Sequence, residues 1–214
     1  MTLFKIILTI SYLLVSNSLL FAQELMKAKC KNEDKKNNLL SSYEYNATDH
    51  YMNIKLLLFK DSTFQFTLNS FNRDLFSNGK WTERDSTLIL KSNLNSENIP
   101  IKLIYSDSVN GISNLKIGVI RNLVGEEMPD ALALVNNKSI KCIPSYGICN
   151  KEFETIDSIK IFFESGPSSK WLQIEKSKYS QIIPIVEVNF LISNYMFFED
   201  RKYRILNSSI KPIN

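Results

Sequence analysis

The segment from Asn53 to Ser92 alternates apolar and polar residues in the manner of antiparallel strands joined by tight turns. The apolar run 56–59 ends at a polar turn, Lys60-Asp61-Ser62. The chain then resumes with one apolar face, formed by Phe64, Phe66 and Leu68. A period of two is typical of a half-buried strand. The segment therefore predicts three or four antiparallel strands.

Two more turns are predicted before this segment ends. Asn78-Gly79 supplies a glycine that is free to take a positive φ. Arg84-Asp85-Ser86 is polar and leads into the apolar run 87–90. With a first strand at Tyr43-Glu44-Tyr45, residues 43–92 are predicted to form a β-meander.

The second half of the chain shows a separate β pattern. Residues 93–98 are polar and lack periodicity, so they are predicted to be a linker. The residues beyond it form short alternating segments with a turn about every eight to twelve residues, which is typical of all-β sandwiches and barrels. Strands are expected at residues 101–105, 115–119, 131–135, 156–163, 171–174 and 181–193, with a last hairpin at 195–206. At residues 131–135 the alternative is a short helix. Residues 99–214 are therefore predicted to be a β-sandwich domain.

The first residues have the layout of a secretory signal peptide. An apolar run over 4–15 is followed by the polar break Ser16-Asn17-Ser18. Cleavage is expected after Ala22 or Gln23, which makes residues 1–23 the signal peptide. The alternative is an uncleaved membrane anchor, since the apolar part is nearly long enough to span a bilayer. We therefore expect an exported protein, in the periplasm, in the cell envelope or secreted, with a membrane contact only through an uncleaved leader.

The fold class that follows is all-β: an antiparallel meander and then a β-sandwich, after an N-terminal signal peptide. Residues 24–42 are polar and rich in lysine, and they are predicted to be a flexible lead-in. The formal net charge of the whole chain is +4, and no basic stripe interleaved with aromatic residues is present. Such a charge is too small to indicate nucleic-acid binding, so no nucleic-acid partner is expected.

Two of the three cysteines lie close together in the sequence. Between Cys142 and Cys149, Pro144 and Gly147 fit the second and fourth positions of a hairpin turn. Such a hairpin places the two cysteines opposite each other, at a separation that a disulfide can span. A Cys142–Cys149 disulfide is predicted for an exported chain, the alternative being two buried thiols, and Cys30 has no assigned partner. No metal site is expected, because no second cysteine pair or nearby histidine completes a set of four ligands.

Candidate catalytic residues are scarce. His50 is the only histidine, so any Ser-His-Asp or Cys-His arrangement must use it, and its place beside a turn favours a surface or capping role. The acidic pairs Glu126-Glu127 and Glu199-Asp200 lie on predicted turns, where solvation explains them. No serine lies in a G-x-S-x-G elbow, and no glycine-rich phosphate loop is present. We therefore expect a protein that is not an enzyme and that has no cofactor.

Two partial resemblances to known families add to this interpretation. One stretch resembles the D-x-T-F … G-x-W … L-x-L meander of lipocalin-like and uncharacterised exported proteins of Gram-negative bacteria. It is carried by Phe59-Lys60-Asp61-Ser62-Thr63-Phe64, Gly79-Lys80-Trp81 and Thr87-Leu88-Ile89-Leu90. The second half resembles, faintly, a carboxypeptidase-regulatory or transthyretin-type sandwich. It is carried by Ser113-Asn114-Leu115-Lys116-Ile117, Ser145-Tyr146-Gly147, Ile156-Asp157-Ser158-Ile159-Lys160-Ile161 and Val186-Glu187-Val188-Asn189-Phe190. Neither resemblance implies catalytic residues.

The aromatic residues are the remaining candidates for function. Most are expected to fill the core, the alternative being an apolar ligand pocket. These are Phe64, Phe66, Trp81, Trp171, Phe190, Phe197 and Phe198. Phe71 and Phe76, between strands, and Trp81 are the candidates for ligand binding. The sequence predicts an exported, non-enzymatic binding or structural module of the cell envelope. Its partner is unknown, and the candidates are a small apolar ligand and an envelope protein. The alternative is a lipocalin-like carrier of a small apolar ligand.

Overall fold

The structure is a computed structural model that describes residues 23–29, 38–47, 52–106, 116–136, 138–142, 153, 155–175 and 181–213. The described residues form strands and turns with one short 3-10 helix, so the predicted all-β fold is confirmed. They divide into two compact units, one within Met1–Asn93 and Met196–Asn214 and the other within Leu94–Tyr195. The predicted signal peptide lies outside the described residues up to Ala22. The same holds for His50, Cys30 and Cys149.

The first unit begins with a run of antiparallel strands in which each strand pairs with the next. They are β1 (Leu25–Ala28), β2 (Leu39–Asn46), β3 (Met52–Phe59), β4 (Thr63–Ser70), β5 (Arg73–Arg84) and β6 (Thr87–Ser92). The predicted turns at residues 60–62 and 84–86 are confirmed. Ser62, Asp85 and Ser86 have positive φ there, and the Asp61 carboxylate accepts a hydrogen bond from the Thr63 N–H at 3.0 Å. The predicted meander is thus present, with four strands between residues 52 and 92.

Two features of this run differ from the sequence prediction. Residues 24–42 were predicted to be a lead-in, but they contain β1 and the start of β2, whose Leu25 and Leu39 are buried. Asn78-Gly79 was predicted to be a turn, but it lies inside β5. At Gly79 the glycine allows a close approach of two strands, since a Cβ there would lie 2.0 Å from the Lys91 carbonyl oxygen. In residues 24–42 the many lysines obscure the few apolar residues of the short strands. A glycine in a β pattern can mark either a turn or a place where two backbones approach closely.

The described residues of the second unit form two sheets. Its strands are β7 (Ile101–Ser106), β8 (Lys116–Ile117), β9 (Arg121–Asn122), β10 (Ala131–Val135), β11 (Lys138–Cys142), β12 (Ser158–Phe163), β13 (Leu172–Gln173) and β14 (Gln181–Val186). One sheet has the order β11-β10-β12-β13, and in the other β14 lies between β7 and β8 and also pairs with β9. β14 runs antiparallel to β7 but parallel to β8 and β9, which alternation along single strands does not reveal. Both sheets contribute buried apolar side chains, including Ile117, Ile182, Val186, Ala133, Ile161 and Phe163.

The chain then returns to the first unit and closes it. After a short 3-10 helix at Ile192–Asn194 come β15 (Arg201–Ile205) and β16 (Ser209–Pro212). β15 pairs with β6, and β16 pairs with both β15 and β1, so that these described strands form a closed, eight-stranded barrel. The sequence pattern predicts these last strands in the 99–214 domain, with a hairpin turn at residues 199–201. The structure instead turns at residues 206–208 and pairs the strands with the N-terminal half, which no local pattern could indicate.

The barrel interior is apolar. Its buried cluster consists of Leu25, Tyr43, Ile54, Leu56, Leu58, Phe64, Phe66, Leu68, Leu88, Leu90, Met196, Phe198, Tyr203 and Ile210. Most of these residues come from alternate positions of the strands, as expected when one face of every strand points inward. Met196 and Phe198 are different, because they precede β15 and belong to no strand.

Candidate ligand site in the barrel

The inner wall of the barrel is recessed where β5 and β6 meet. Directly opposite residues on paired strands share a face. Phe64 on β4 lies opposite Gly79 on β5, and Gly79 lies opposite Ser92 on β6. Phe66 lies opposite Ser77 in the same way. Three small residues therefore occupy inward positions beside two phenylalanines, which leaves room for a large side chain.

Phe198 fills this space. Its ring stacks on Phe64, with the ring centroids 5.9 Å apart and an interplanar angle of 22°. It meets Phe66 edge to face, with a centroid separation of 5.0 Å and an angle of 76°. Only 3% of Phe198 is exposed. The side chain thus occupies an aromatic slot inside the barrel, although its backbone is not part of the barrel wall.

Ser92 holds the backbone of this segment. Its N–H donates to the Phe198 carbonyl oxygen at 2.9 Å, and its Oγ accepts from the Phe198 N–H at 2.8 Å. The Oγ also lies 3.3 Å from the Met196 carbonyl oxygen and 2.8 Å from the Ser77 Oγ. The Met196 N–H donates to the Phe76 carbonyl oxygen at 2.8 Å. Residues 196–198, called the plug segment below, are thereby bound through both backbone and side chain.

Beside the plug segment lies a small cavity. Its volume is about 10 Å³, and it is lined by Gln23, Leu25, Ile54, Phe66, Leu68, Met196, Tyr203 and Pro212. That is roughly the space for a single water molecule. With the plug segment in place, the interior at this point is therefore packed.

Tyr203 gives this lining a titratable group. It is 4% exposed, and burial raises the pKa of its phenol above the ordinary value. The Arg201 guanidinium acts in the opposite direction, and its Cζ lies 5.7 Å from the Tyr203 ring centroid. Because burial has the larger effect, Tyr203 stays neutral and can donate a hydrogen bond well above neutral pH.

The three ligand-binding candidates from the sequence occupy different places. Trp81 is half-buried against the barrel core, and its indole N–H donates to the Phe59 carbonyl oxygen at 3.0 Å. Phe76 alternates with the inward Leu75 and Ser77, so its side chain points outward, while its carbonyl oxygen accepts the hydrogen bond from Met196. Phe71 is 84% exposed in the turn between β4 and β5. The structure therefore does not bring these three side chains together.

The residues that shape the slot are not among the site candidates from the sequence. Ser77, Gly79 and Ser92 are small, and their significance depends on which strands are neighbours. Phe198 was predicted to be a core residue, which is confirmed, but its origin outside the strands was not visible. The alternation Leu75, Ser77, Gly79, Trp81 on one strand face was the available signal. Cys142 lies on β11, and its predicted disulfide involves Cys149, outside the described residues.

Comparisons with known proteins give no relative. A scan against protein-family models finds no match, and neither does a search of curated proteins or of solved structures. Among the described residues, no helix has the length and apolar character needed to span a membrane. In the same part of the chain, no three His, Cys, Asp or Glu residues come together in a way that could hold a metal ion.

Proposed function

We propose that this chain is an exported, non-enzymatic binding protein of the cell envelope, with the eight-stranded barrel as its binding domain. Barrels of this size have interiors just wide enough to be filled by side chains or to hold one small ligand. The recessed wall beside Phe64 and Phe66 supports the second use, since it forms a slot for a group that does not come from the wall. The function proposed for this slot is to carry a small, mainly apolar ligand, as lipocalin-like proteins do.

The position of β1 is compatible with the cleavage site that export would require. Leu25 is 2% exposed and pairs with Ile210, and the Glu24 carboxylate accepts a hydrogen bond from the Ser209 hydroxyl. Cleavage after Ala22 or Gln23 leaves all of these residues in the mature chain. The predicted cleavage site is therefore compatible with a complete barrel. N-terminal sequencing of the protein from a periplasmic fraction would test this, and a mature chain that begins beyond Leu25 would contradict it.

A ligand-binding experiment tests the carrier function. The protein would be isolated from an exporting host and examined by native mass spectrometry for a bound small molecule. The Trp171→Phe variant would then be titrated with a panel of lipids and small aromatic compounds while the fluorescence of Trp81 is followed. We expect a bound mass or a saturable change in Trp81 emission. Neither signal across the panel would contradict the carrier function.

A loop in the second unit favours a second function, the binding of a protein partner. Leu123 and Val124 are 59% and 68% exposed at the tip of the loop that follows β9. The buried Asn122 side chain holds the loop, since its Oδ1 accepts from the N–H groups of Val124 and Glu126 at 3.1 and 2.9 Å. Exposed apolar residues on a preorganised loop are typical of recognition surfaces.

Photo-crosslinking in cells would test this second function. A photoreactive residue at position 123 should give one discrete adduct, and the same residue at the exposed position 164, in the turn after β12, should not. Equal labelling from both positions would exclude a specific partner at the loop.

A further inference from the structure

We propose that the slot occupied by Phe198 is a ligand site for a small aromatic molecule with one hydrogen-bonding group, and that the plug segment is a built-in competitor for it. This inference rests on the proposed carrier function and specifies its ligand class. It follows from the wall of the slot, from the polar groups in that wall and from the position of the plug segment in the chain.

The wall selects an aromatic ring. Phe64 and Phe66 approach Phe198 from two directions, one stacked and one edge-on. Such pairs stabilise the contact beyond the effect of their buried area. Opposite them, Ser77, Gly79 and Ser92 leave the depth that the ring requires. A flat ring of six atoms fits where the Phe198 ring lies.

The polar groups select one hydrogen-bonding substituent. The Ser92 N–H and Oγ and the Ser77 Oγ form a small set of donors and acceptors in an otherwise apolar interior. When the plug segment is in place, its backbone satisfies them. When it leaves, the Ser92 N–H loses its acceptor, and a buried donor without an acceptor is unfavourable unless another group replaces the lost partner. A hydroxyl or carbonyl group on the ligand ring would supply that replacement.

The plug segment can be exchanged without breaking the barrel ladder. Its residues lie outside the paired strands. Hydrogen bonds join it to Ser92, the last residue of β6, and to the Phe76 carbonyl oxygen of β5. The chain enters it directly from the second unit, which ends at Tyr195. The ligand and the plug segment therefore compete for the same slot, which lowers the apparent affinity of the wild-type protein in proportion to the fraction of molecules with an empty slot.

Calorimetric titration with phenol and toluene tests this proposal, because the two probes have almost the same shape and differ in one hydroxyl group. Phe198→Ala should bind phenol about tenfold or more tightly than the wild type does. It should also bind phenol more tightly than toluene, and adding Ser92→Ala should remove that preference. If Phe198→Ala does not fold, Phe198→Leu replaces it, with a smaller expected gain.

Phe163→Ala is the matched control. Phe163 is fully buried in the second unit, so the substitution creates a cavity of similar origin away from the slot. Equal phenol binding by the two alanine variants would show nonspecific filling of a cavity and would overturn the proposal. So would a folded Phe198→Ala variant that binds neither probe.

Hydrogen exchange in the wild-type protein tests the competition itself. The Phe198 N–H is buried and bonded to Ser92, so its exchange should be slow. Saturating phenol should accelerate the exchange of this amide while the amides of β3 and β4 stay protected. Unchanged exchange at Phe198 would overturn the proposal. Binding of lipids in the separate titration would still support the carrier function in that case, so the two failures can be told apart.

Discussion

At Gly79, strands β5 and β6 approach so closely that an added Cβ would lie 2.0 Å from the Lys91 carbonyl oxygen and 2.8 Å from the Ser92 Cα. Both contacts are with backbone, which cannot move aside as a flexible side chain can. The same residue lies opposite Phe64 and Ser92 in the wall of the slot. The lack of a side chain at Gly79 therefore sets both the spacing of β5 and β6 and the depth of the slot.

We predict that Gly79→Ala lowers the free energy of unfolding by about 2 kcal/mol or more, because overpacking against backbone forces the strands apart. Urea unfolding monitored by circular dichroism measures this. Lys80→Ala is the control, since Lys80 is the next residue of β5 and is exposed. Its effect should stay within about 0.5 kcal/mol. Similar effects of the two substitutions would contradict the close approach at Gly79.

The buried Tyr203 makes the stability of the folded protein depend on pH. Its raised pKa means that the folded protein holds the phenolic proton more tightly than the unfolded chain does. The resulting stability is fully present below the ordinary pKa of about 10 and is lost as the pH rises towards the folded-state value. We predict that wild-type stability falls as the pH rises beyond about 10 and that Tyr203→Phe falls less steeply.

Urea unfolding of the wild type and of Tyr203→Phe across this pH range makes the comparison, with about pH 8 as the reference at which the phenol is neutral in both states. Tyr43, whose pKa burial also raises, accounts for part of the slope that remains. Curves that stay parallel for the two proteins would contradict the burial of Tyr203.

At the scale of elements, closure of the barrel depends on its two shortest strands. β1 and β16 have four residues each, and they join the N-terminal and C-terminal parts of the chain. Leu25 and Ile210 meet on the inner face and are almost fully buried. The neighbouring Met26 is 54% exposed, so successive residues of β1 have opposite environments.

This contrast gives a matched pair of substitutions. Leu25→Asp should lower the free energy of unfolding by about 3 kcal/mol or more, because it places a charge in the apolar interior. Met26→Asp should change it by about 0.5 kcal/mol or less. Thermal and urea unfolding of both variants measure the difference. Equal effects would mean that β1 is not a wall strand of the barrel.

How well each strand could be predicted from the sequence depended on its surroundings in the fold. The strands β3, β4 and β6 were predictable, because each has one face in the core and one in solvent and the alternation survives in the sequence. β1 was not, since a strand of four residues that itself contains Lys27 carries too little pattern. The closure through β15 and β16 depends on partners at the other end of the chain, and no local alternation encodes that pairing.

At the scale of the whole molecule, the second unit is an insertion between β6 and β15 of the barrel. The points of departure and return are close together, since the Ser92 N–H is bonded to the Phe198 carbonyl oxygen at 2.9 Å. A short connection can therefore replace residues 94–195 with little loop-closure entropy.

We predict that a variant in which a short glycine–serine linker replaces Leu94–Tyr195 folds cooperatively and keeps Trp81 in a partly buried environment. Circular dichroism, urea unfolding and tryptophan emission measure this. Deletion of Leu94–Ile205 is the control, because it also removes the plug segment and β15, and this variant should not fold. An unfolded first variant would contradict the independence of the barrel.

The candidate site was harder to predict from the sequence than the fold, because it too depends on contacts between distant parts of the chain. The slot combines residues of β4, β5 and β6 with the segment that returns from the second unit, and each of these looks ordinary in its own stretch of sequence. Aromatic content indicated where apolar contacts would form. It did not indicate which ring would lie in a recess made by small residues on two other strands.

The central claim is that the barrel closes around Phe198. Nuclear Overhauser spectroscopy of protein with selectively labelled phenylalanines tests it most directly. We predict cross-peaks from the Phe198 ring to the rings of Phe64 and Phe66, together with cross-strand contacts between Leu25 and Ile210. A folded protein whose Phe198 ring shows contacts to neither phenylalanine would contradict it.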